Sequence, residues 1–126
     1  DNHSYKWVGK VLPDMKDKII TSALNVPVQF GSLMDLTVVF DQQVEDVDTI
    51  NKVLINSAKE FPDLIKIAKD PIVSSDVVGM KESVVFDTLG TLKIGKNMFK
   101  TLSWYDNGYN HALRILDVIS QYEGTK

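Results

Sequence analysis

Lys100-Thr101-Leu102-Ser103-Trp104-Tyr105-Asp106-Asn107 is the stretch from which the fold is read. Met98, Lys100, Leu102 and Trp104 alternate with Phe99, Thr101, Ser103 and Tyr105, the period of a strand with apolar groups on both faces. Asp106-Asn107-Gly108 follows with turn and cap chemistry. Tyr109 to Tyr122 is an amphipathic run at helical spacing. A well-buried strand therefore runs straight into a terminal helix, with a polar Asp-Asn pair at its carboxyl end. In mixed α/β architectures such junctions often face a ligand cleft, where a carboxamide can donate and accept at once.

Working outward, Gly95-Lys96-Asn97 is a hairpin turn between strands at Leu92 to Ile94 and Met98 to Tyr105, and Ser83 to Phe86 is a further strand. Ile72 to Val78 is short, apolar and β-branched with polar punctuation that predicts a bend; Lys69-Asp70-Pro71 is a turn and Leu64 to Ala68 a strand. Asp46 or Asp48 caps a helix in which Val47, Ile50, Val53, Leu54, Ala58 and Phe61 recur at helical spacing, ended by Pro62. That stripe is expected to lie on a sheet. Leu33 to Phe40 is a strand with Leu36, Val38 and Phe40 on one face and Thr37 and Val39 on the other. Upstream, Ile19-Ile20-Thr21-Ser22-Ala23-Leu24 predicts another strand, ended at Pro27. Gln29-Phe30-Gly31-Ser32 is a connection with a flexible glycine. Ser4 to Leu12 is a short helix stopped by Pro13, with Tyr5, Val8, Val11 and Leu12 on one side and Trp7 as a packing or interface residue.

Strands outnumber helices and several connections are hairpin-short. The expected architecture is α+β, one domain over residues 1–126, with a predominantly antiparallel or mixed sheet and helices packed on one face. A sheet apolar on both faces needs cover on both, so an isolated monomer would leave an apolar patch in water. The expected partner is a second copy, a homo-oligomer formed through the sheet face.

The chain has 126 residues, 44% of them hydrophobic, enough for a real core, and a net charge of -3 from 14 basic and 17 acidic residues. No run is dominated by Lys and Arg, which argues against a nucleic-acid partner. Apolar runs are too short for a membrane span. No export signal is visible at Asp1-Asn2-His3-Ser4, so a cytoplasmic location is expected, and the lack of an initiator Met suggests a piece of a longer product. There is no cysteine, which removes disulfides, thiolate metal sites and thiol nucleophiles from these residues. His3 and His111 are the only histidines, too few and too far apart for a zinc site, and no metal is expected. Lys93, Lys96 and Lys100 read as a basic, solvated spot around the hairpin.

Ser103-Trp104-Tyr105-Asp106-Asn107, followed by Arg114-Ile115-Leu116-Asp117, resembles the final strand and helix of the glyceraldehyde-3-phosphate dehydrogenase family. The likeness continues upstream in Val8-Gly9-Lys10-Val11-Leu12-Pro13, Val26-Pro27, Asp35-Leu36-Thr37-Val38, Pro71-Ile72-Val73-Ser74-Ser75-Asp76 and Phe86-Asp87, in the family's order and spacing. It spans roughly residues 4 to 122 and implies the carboxyl-terminal, catalytic-type domain of that family.

The resemblance implies chemistry that these residues cannot perform alone. Family enzymes oxidise an aldehyde through a cysteine thiolate that forms a hemithioacetal, with a histidine assisting and hydride passing to NAD(P). Both residues would lie on segments before this one, as would the dinucleotide-binding domain; no GxGxxG is present, so no NAD-binding domain and no cofactor are expected in this chain. NAD(P) enters only if the chain is part of an intact family enzyme, in which case the resemblance implies the missing amino-terminal NAD-binding part as the alternative partner to a second copy. Asn107 matches the position that contacts the nicotinamide carboxamide, and its other reading is a cap on the last helix. Asn25 stands where the family places a phosphate-binding arginine, and Asn2 and His3 where it places a Thr-Gly pair. Gly108 replaces an acidic residue and His111 a tyrosine. His111, one helical turn from Asn107, is a candidate acid or base, or a plain exposed helix residue. Two functions are expected from this: a domain not catalytically competent alone that self-associates or serves assembly and binding, or the carboxyl-terminal fragment of an NAD(P)-dependent phosphorylating aldehyde dehydrogenase of glycolysis. A third is an anion- or nucleotide-binding domain using Asn107 and His111.

Overall fold

A computed structural model describes residues 4–124 of the chain. The element order is α1 (Ser4–Val11), β1 (Ser32–Val39), α2 (Val47–Glu60), β2 (Ile65–Ala68), β3 (Val84–Ile94), β4 (Met98–Tyr105) and α3 (Tyr109–Glu123), with single 3₁₀ turns at Pro13–Met15 and Ser74–Val77. The four strands form one mixed sheet in the order β1-β4-β3-β2, in which β4 pairs antiparallel with β1 and β3, and β2 runs parallel to β3. The expected α+β architecture is the one observed.

β4 is central, as its two-sided apolar pattern demands. Its register places Phe99 against Val38 and Lys93, and Ser103 against Met34 and Phe86, on one face. Met98 against Val39 and Ile94, and Trp104 against Leu33 and Val85, make up the other. The first face is covered by α2. Asp46 caps that helix, accepting from the Thr49 N–H at 2.8 Å and the Thr49 hydroxyl at 2.7 Å. Asn51 then docks it: its Nδ2 donates to the Thr88 carbonyl at 3.1 Å and its Oδ1 accepts from the buried Thr91 hydroxyl at 2.7 Å. Of the predicted stripe, Val47, Ile50, Leu54 and Ala58 are half-buried, whereas Val53 and Phe61 are exposed and Ile55 takes part instead. The helix covers only the β2–β3 side of the sheet, so its buried face is narrower than the apolar pattern and rotated towards Asn51.

The second face is covered at one end. Residues 72–80 fold over it, bringing Ile72, Val77 and Met80 against Ala68, Val85 and Trp104. Gly31, at φ 83°, lies so close to this segment that a Cβ would meet the Ser74 carbonyl oxygen at 2.5 Å.

Four sequence expectations are corrected. The strands expected at 83–86 and 92–94 are one strand, β3, carried through a register shift between Asp87 and Leu92. Asp87 makes this possible: its buried carboxylate accepts from the N–H groups of Leu89 at 3.0 Å and Gly90 at 3.1 Å, which the bulge withdraws from the ladder. Second, residues 19–24 form no strand; Ile20 is 99% and Leu24 87% exposed. Branched side chains favour a strand only where a neighbouring ladder receives it, and this segment joins none. Third, the three lysines near the hairpin do not form one spot. Lys93 lies on the α2 face, its Nζ 5.8 Å from the Phe99 ring centre and donating to the Glu45 carbonyl, while Lys100 on the opposite face pairs with Asp35 at 2.6 Å. Fourth, the first-turn amides of α3 are capped by Asp106 and not by Asn107. Trp7 is exposed, with the Lys10 ammonium 4.1 Å over its ring.

Candidate functional site

At the end of β4 the chain turns into α3, and Asp106 organises the junction. Its Oδ1 accepts from the N–H groups of Gly108 and Tyr109, each at 3.0 Å, capping the first turn of α3. Its Oδ2 accepts from the Gly79 N–H at 3.0 Å, tying residues 72–80 to the same point. The Gly79 amide foremost, then those of Tyr109 and Gly108, hold the Asp106 carboxyl below its usual value. The capping reading of Asn107 thus passes to its neighbour, leaving the exposed Asn107 carboxamide without that task.

Arg114 fixes the next turn of α3. Its Nη1 donates to the Asp63 carbonyl at 3.2 Å and the Ser83 hydroxyl at 3.1 Å, and its Nε lies 2.9 Å from Asp117 Oδ2. The helix is held against the segments leading into β2 and β3, and an open cleft of about 360 Å³ is enclosed by Tyr105, Asn107, Asn110, His111, Arg114 and Ser83, with Asp106 at its edge. The structure therefore brings Asn107 and His111 into one cleft, both exposed on its rim. Asn25 is exposed in the connection before β1 and does not line this cleft. Asn2 and His3 lie outside the described residues.

Four contributors are not among the site residues expected from the sequence: Ser83, Tyr105, Arg114 and Asn110. The signal for the last two was helical spacing, since positions 110, 111 and 114 lie along one face of α3 and Asn107 just precedes it. Asn110 is 5% exposed, and neither its Nδ2 nor its Oδ1 has a hydrogen-bond partner. A smaller depression of about 260 Å³ lies elsewhere, between Phe30 and Val78. Among the described residues no three His, Asp or Glu are placed to hold a metal ion, and no helix is long and apolar enough to cross a membrane.

Residues 1–107 match the family described as glyceraldehyde 3-phosphate dehydrogenase, C-terminal domain. The chain belongs to that family. It is 40% identical over 116 residues to a glyceraldehyde-3-phosphate dehydrogenase of Borreliella burgdorferi, covering 90% of this chain and 34% of the relative. A Neurospora crassa glyceraldehyde-3-phosphate dehydrogenase is 38% identical over 117 residues, covering 91% of this chain and 34% of that protein. A Nicotiana tabacum relative named as the cytosolic glyceraldehyde-3-phosphate dehydrogenase is 33% identical over 114 residues, covering 90% of this chain and 35% of that protein. The chain thus spans about a third of the length of these glyceraldehyde-3-phosphate dehydrogenases. The family match ends at Asn107, so the rim asparagine closes the matched region and the rest of the cleft's helical face lies beyond it.

Proposed function

We propose that this chain is a single glyceraldehyde-3-phosphate dehydrogenase-type C-terminal domain that associates with a second copy through the open part of its sheet. One observation carries this reading. On the face opposite α2, Leu33, Val39, Leu92 and Ile94 are each between 44% and 64% exposed, around the half-buried Met98 and Leu102. The Asp35–Lys100 pair neutralises the two charges in their midst. An apolar surface with internally compensated charges suits an interface core. The domain is not catalytically competent by itself, because no thiolate can come from a chain without cysteine. We place it in the cytosol, as the name of the tobacco relative suggests. Static light scattering at tens of micromolar tests the association: a mass of two or more chains supports it, and the mass of one chain counts against it.

A second reading is supported by Asn107 and His111 sharing a cleft. In it the chain is the carboxyl-terminal part of an NAD(P)-dependent phosphorylating aldehyde dehydrogenase of glycolysis, with the dinucleotide-binding part supplied from outside these residues. The exposed Asn107 carboxamide would then face the nicotinamide, the group that accepts hydride, with His111 beside it. With Asn25 exposed and uncharged, these residues offer no guanidinium at the expected phosphate position. A coding sequence extending upstream through GxGxxG and a cysteine-bearing nucleophile segment would favour this reading; one without them would favour the first.

A further inference from the structure

Asn107 is followed by Gly108, the only Asn-Gly pair in the sequence. Both residues are exposed, and the Asn107 carboxamide has no hydrogen-bond partner among the described residues. The backbone does not call for a glycine at 108. Its φ of -85° and ψ of -59° are right-handed helical values, and a Cβ there would meet Asp106 Oδ1 at 3.7 Å, an ordinary contact. What the missing side chain leaves open is the approach to the main-chain nitrogen that follows the Asn107 carboxamide. That N–H donates to Asp106 Oδ1 at 3.0 Å, the oxygen that also caps Tyr109. The other described asparagines differ. Asn25 precedes the branched Val26, Asn51 and Asn97 hold hydrogen-bond partners, and Asn56 precedes a nitrogen locked inside α2. Asn110 is buried.

We propose that Asn107-Gly108 is a site of self-modification, at which the Gly108 nitrogen attacks the Asn107 side chain and a carboxylate replaces the carboxamide. The Gly108 N–H gives its proton to solvent and the nitrogen forms a bond to Asn107 Cγ. The Cγ–Nδ2 bond then breaks, and Nδ2 leaves as ammonia with a proton taken from water. A second water opens the cyclic imide, at Cγ to give aspartate or at the main-chain carbonyl to give isoaspartate. No oxidant or cofactor is consumed. Asp106 restrains the step: its carboxylate holds the nitrogen in the first turn of α3, and like charge opposes baring a negative nitrogen beside it. Either product sets a second carboxylate next to Asp106 on the cleft rim, and isoaspartate also adds a methylene to the main chain ahead of Gly108. The rim thus passes from neutral to anionic by its own chemistry. The inference goes beyond both functional readings, since it needs neither a second copy nor a cofactor.

The test is incubation of the full 126-residue chain at mildly alkaline pH, read by peptide mapping with mass spectrometry and an isoaspartate assay. Conversion concentrated at Asn107, ahead of Asn25, Asn51, Asn56 and Asn97, is expected. Gly108→Ala, for which the structure has room, should slow it by about tenfold or more, and Asp106→Ala should speed it several-fold. An Asn107 that stays intact while another asparagine converts, or while the same chain in urea converts there, would overturn the proposal. So would an unchanged rate in Gly108→Ala, or a rate in Asp106→Ala no faster than in the parent. If Asp106→Ala fails to fold, the unmodified chain in urea takes its place, and conversion no faster there than in the folded chain would overturn the proposal.

Discussion

Asp106 joins three parts of the molecule with two oxygen atoms: the end of β4, the first turn of α3 and the 72–80 segment. Replacing it by Ala removes the helix cap and the tether together, and should lower stability by about 1–2 kcal/mol, read from chemical denaturation. The Gly79, Tyr109 and Gly108 amides hold its folded-state pKa below the ordinary 3.8, so its carboxylate contributes stability that is fully present above that value. The contribution is lost as pH falls through the lower folded value, and Asp106→Asn should flatten the acid limb of the stability profile. An unchanged acid limb would show that these amides do not hold the carboxylate in solution. Asp106-Asn107-Gly108 was legible in the sequence as cap chemistry, but which residue caps was not. Both Asp and Asn suit the role; the choice falls to Asp106 because only a charged side chain with two acceptor oxygens serves the helix and the distant Gly79 at once. Asn110 was illegible for a related reason, since burial of one helix position depends on how Arg114 draws α3 towards Asp63 and Ser83.

At the scale of elements, the bulge in β3 and the docking of α2 are one device. Asp87 holds the bulge, the bulge presents Thr88 and Thr91, and Asn51 grips both. Asn51→Leu would leave the buried Thr91 hydroxyl without its acceptor, at a cost of about 1–3 kcal/mol. The expected signs are a lower denaturation midpoint and faster amide exchange along α2; unchanged exchange would mean that apolar contact alone seats the helix. Gly90 adds a steric condition, since a Cβ there would meet Leu102 Cδ1 at 2.8 Å. Gly90→Ala should therefore be destabilising, and Leu102→Ala in the same chain should recover part of the loss, a non-additivity that a double-mutant cycle measures. Strands with a receiving neighbour, such as β1, β2 and β4, were visible as alternation or apolar runs with turn residues at their ends. Residues 19–24 carry the same local signal, yet a strand is a property of a pair, and no periodicity within one segment reports whether its pair exists.

For the whole molecule, the sheet is covered by α2 on the β2–β3 side of one face, where Met34 and Leu36 of β1 stay exposed, and by residues 72–80 at one end of the other, which leaves Leu33, Val39, Leu92 and Ile94 to water. That surface was foreseeable from the apolar pattern on both faces of β4; its extent was not, because it is set by how far residues 72–80 reach over that face, a long-range contact that no local pattern reports. The central proposal is that this surface is where two copies meet. The most direct measurement is sedimentation velocity from about 1 to 100 µM on the unmodified chain and on Leu92→Lys/Ile94→Lys, which places two charges in the exposed apolar row without touching the buried residues. The account predicts a concentration-dependent dimer or larger species for the unmodified chain and a folded monomer for the double variant. An unmodified chain that sediments as a monomer throughout that range, or a double variant that associates as well as its parent, would contradict it.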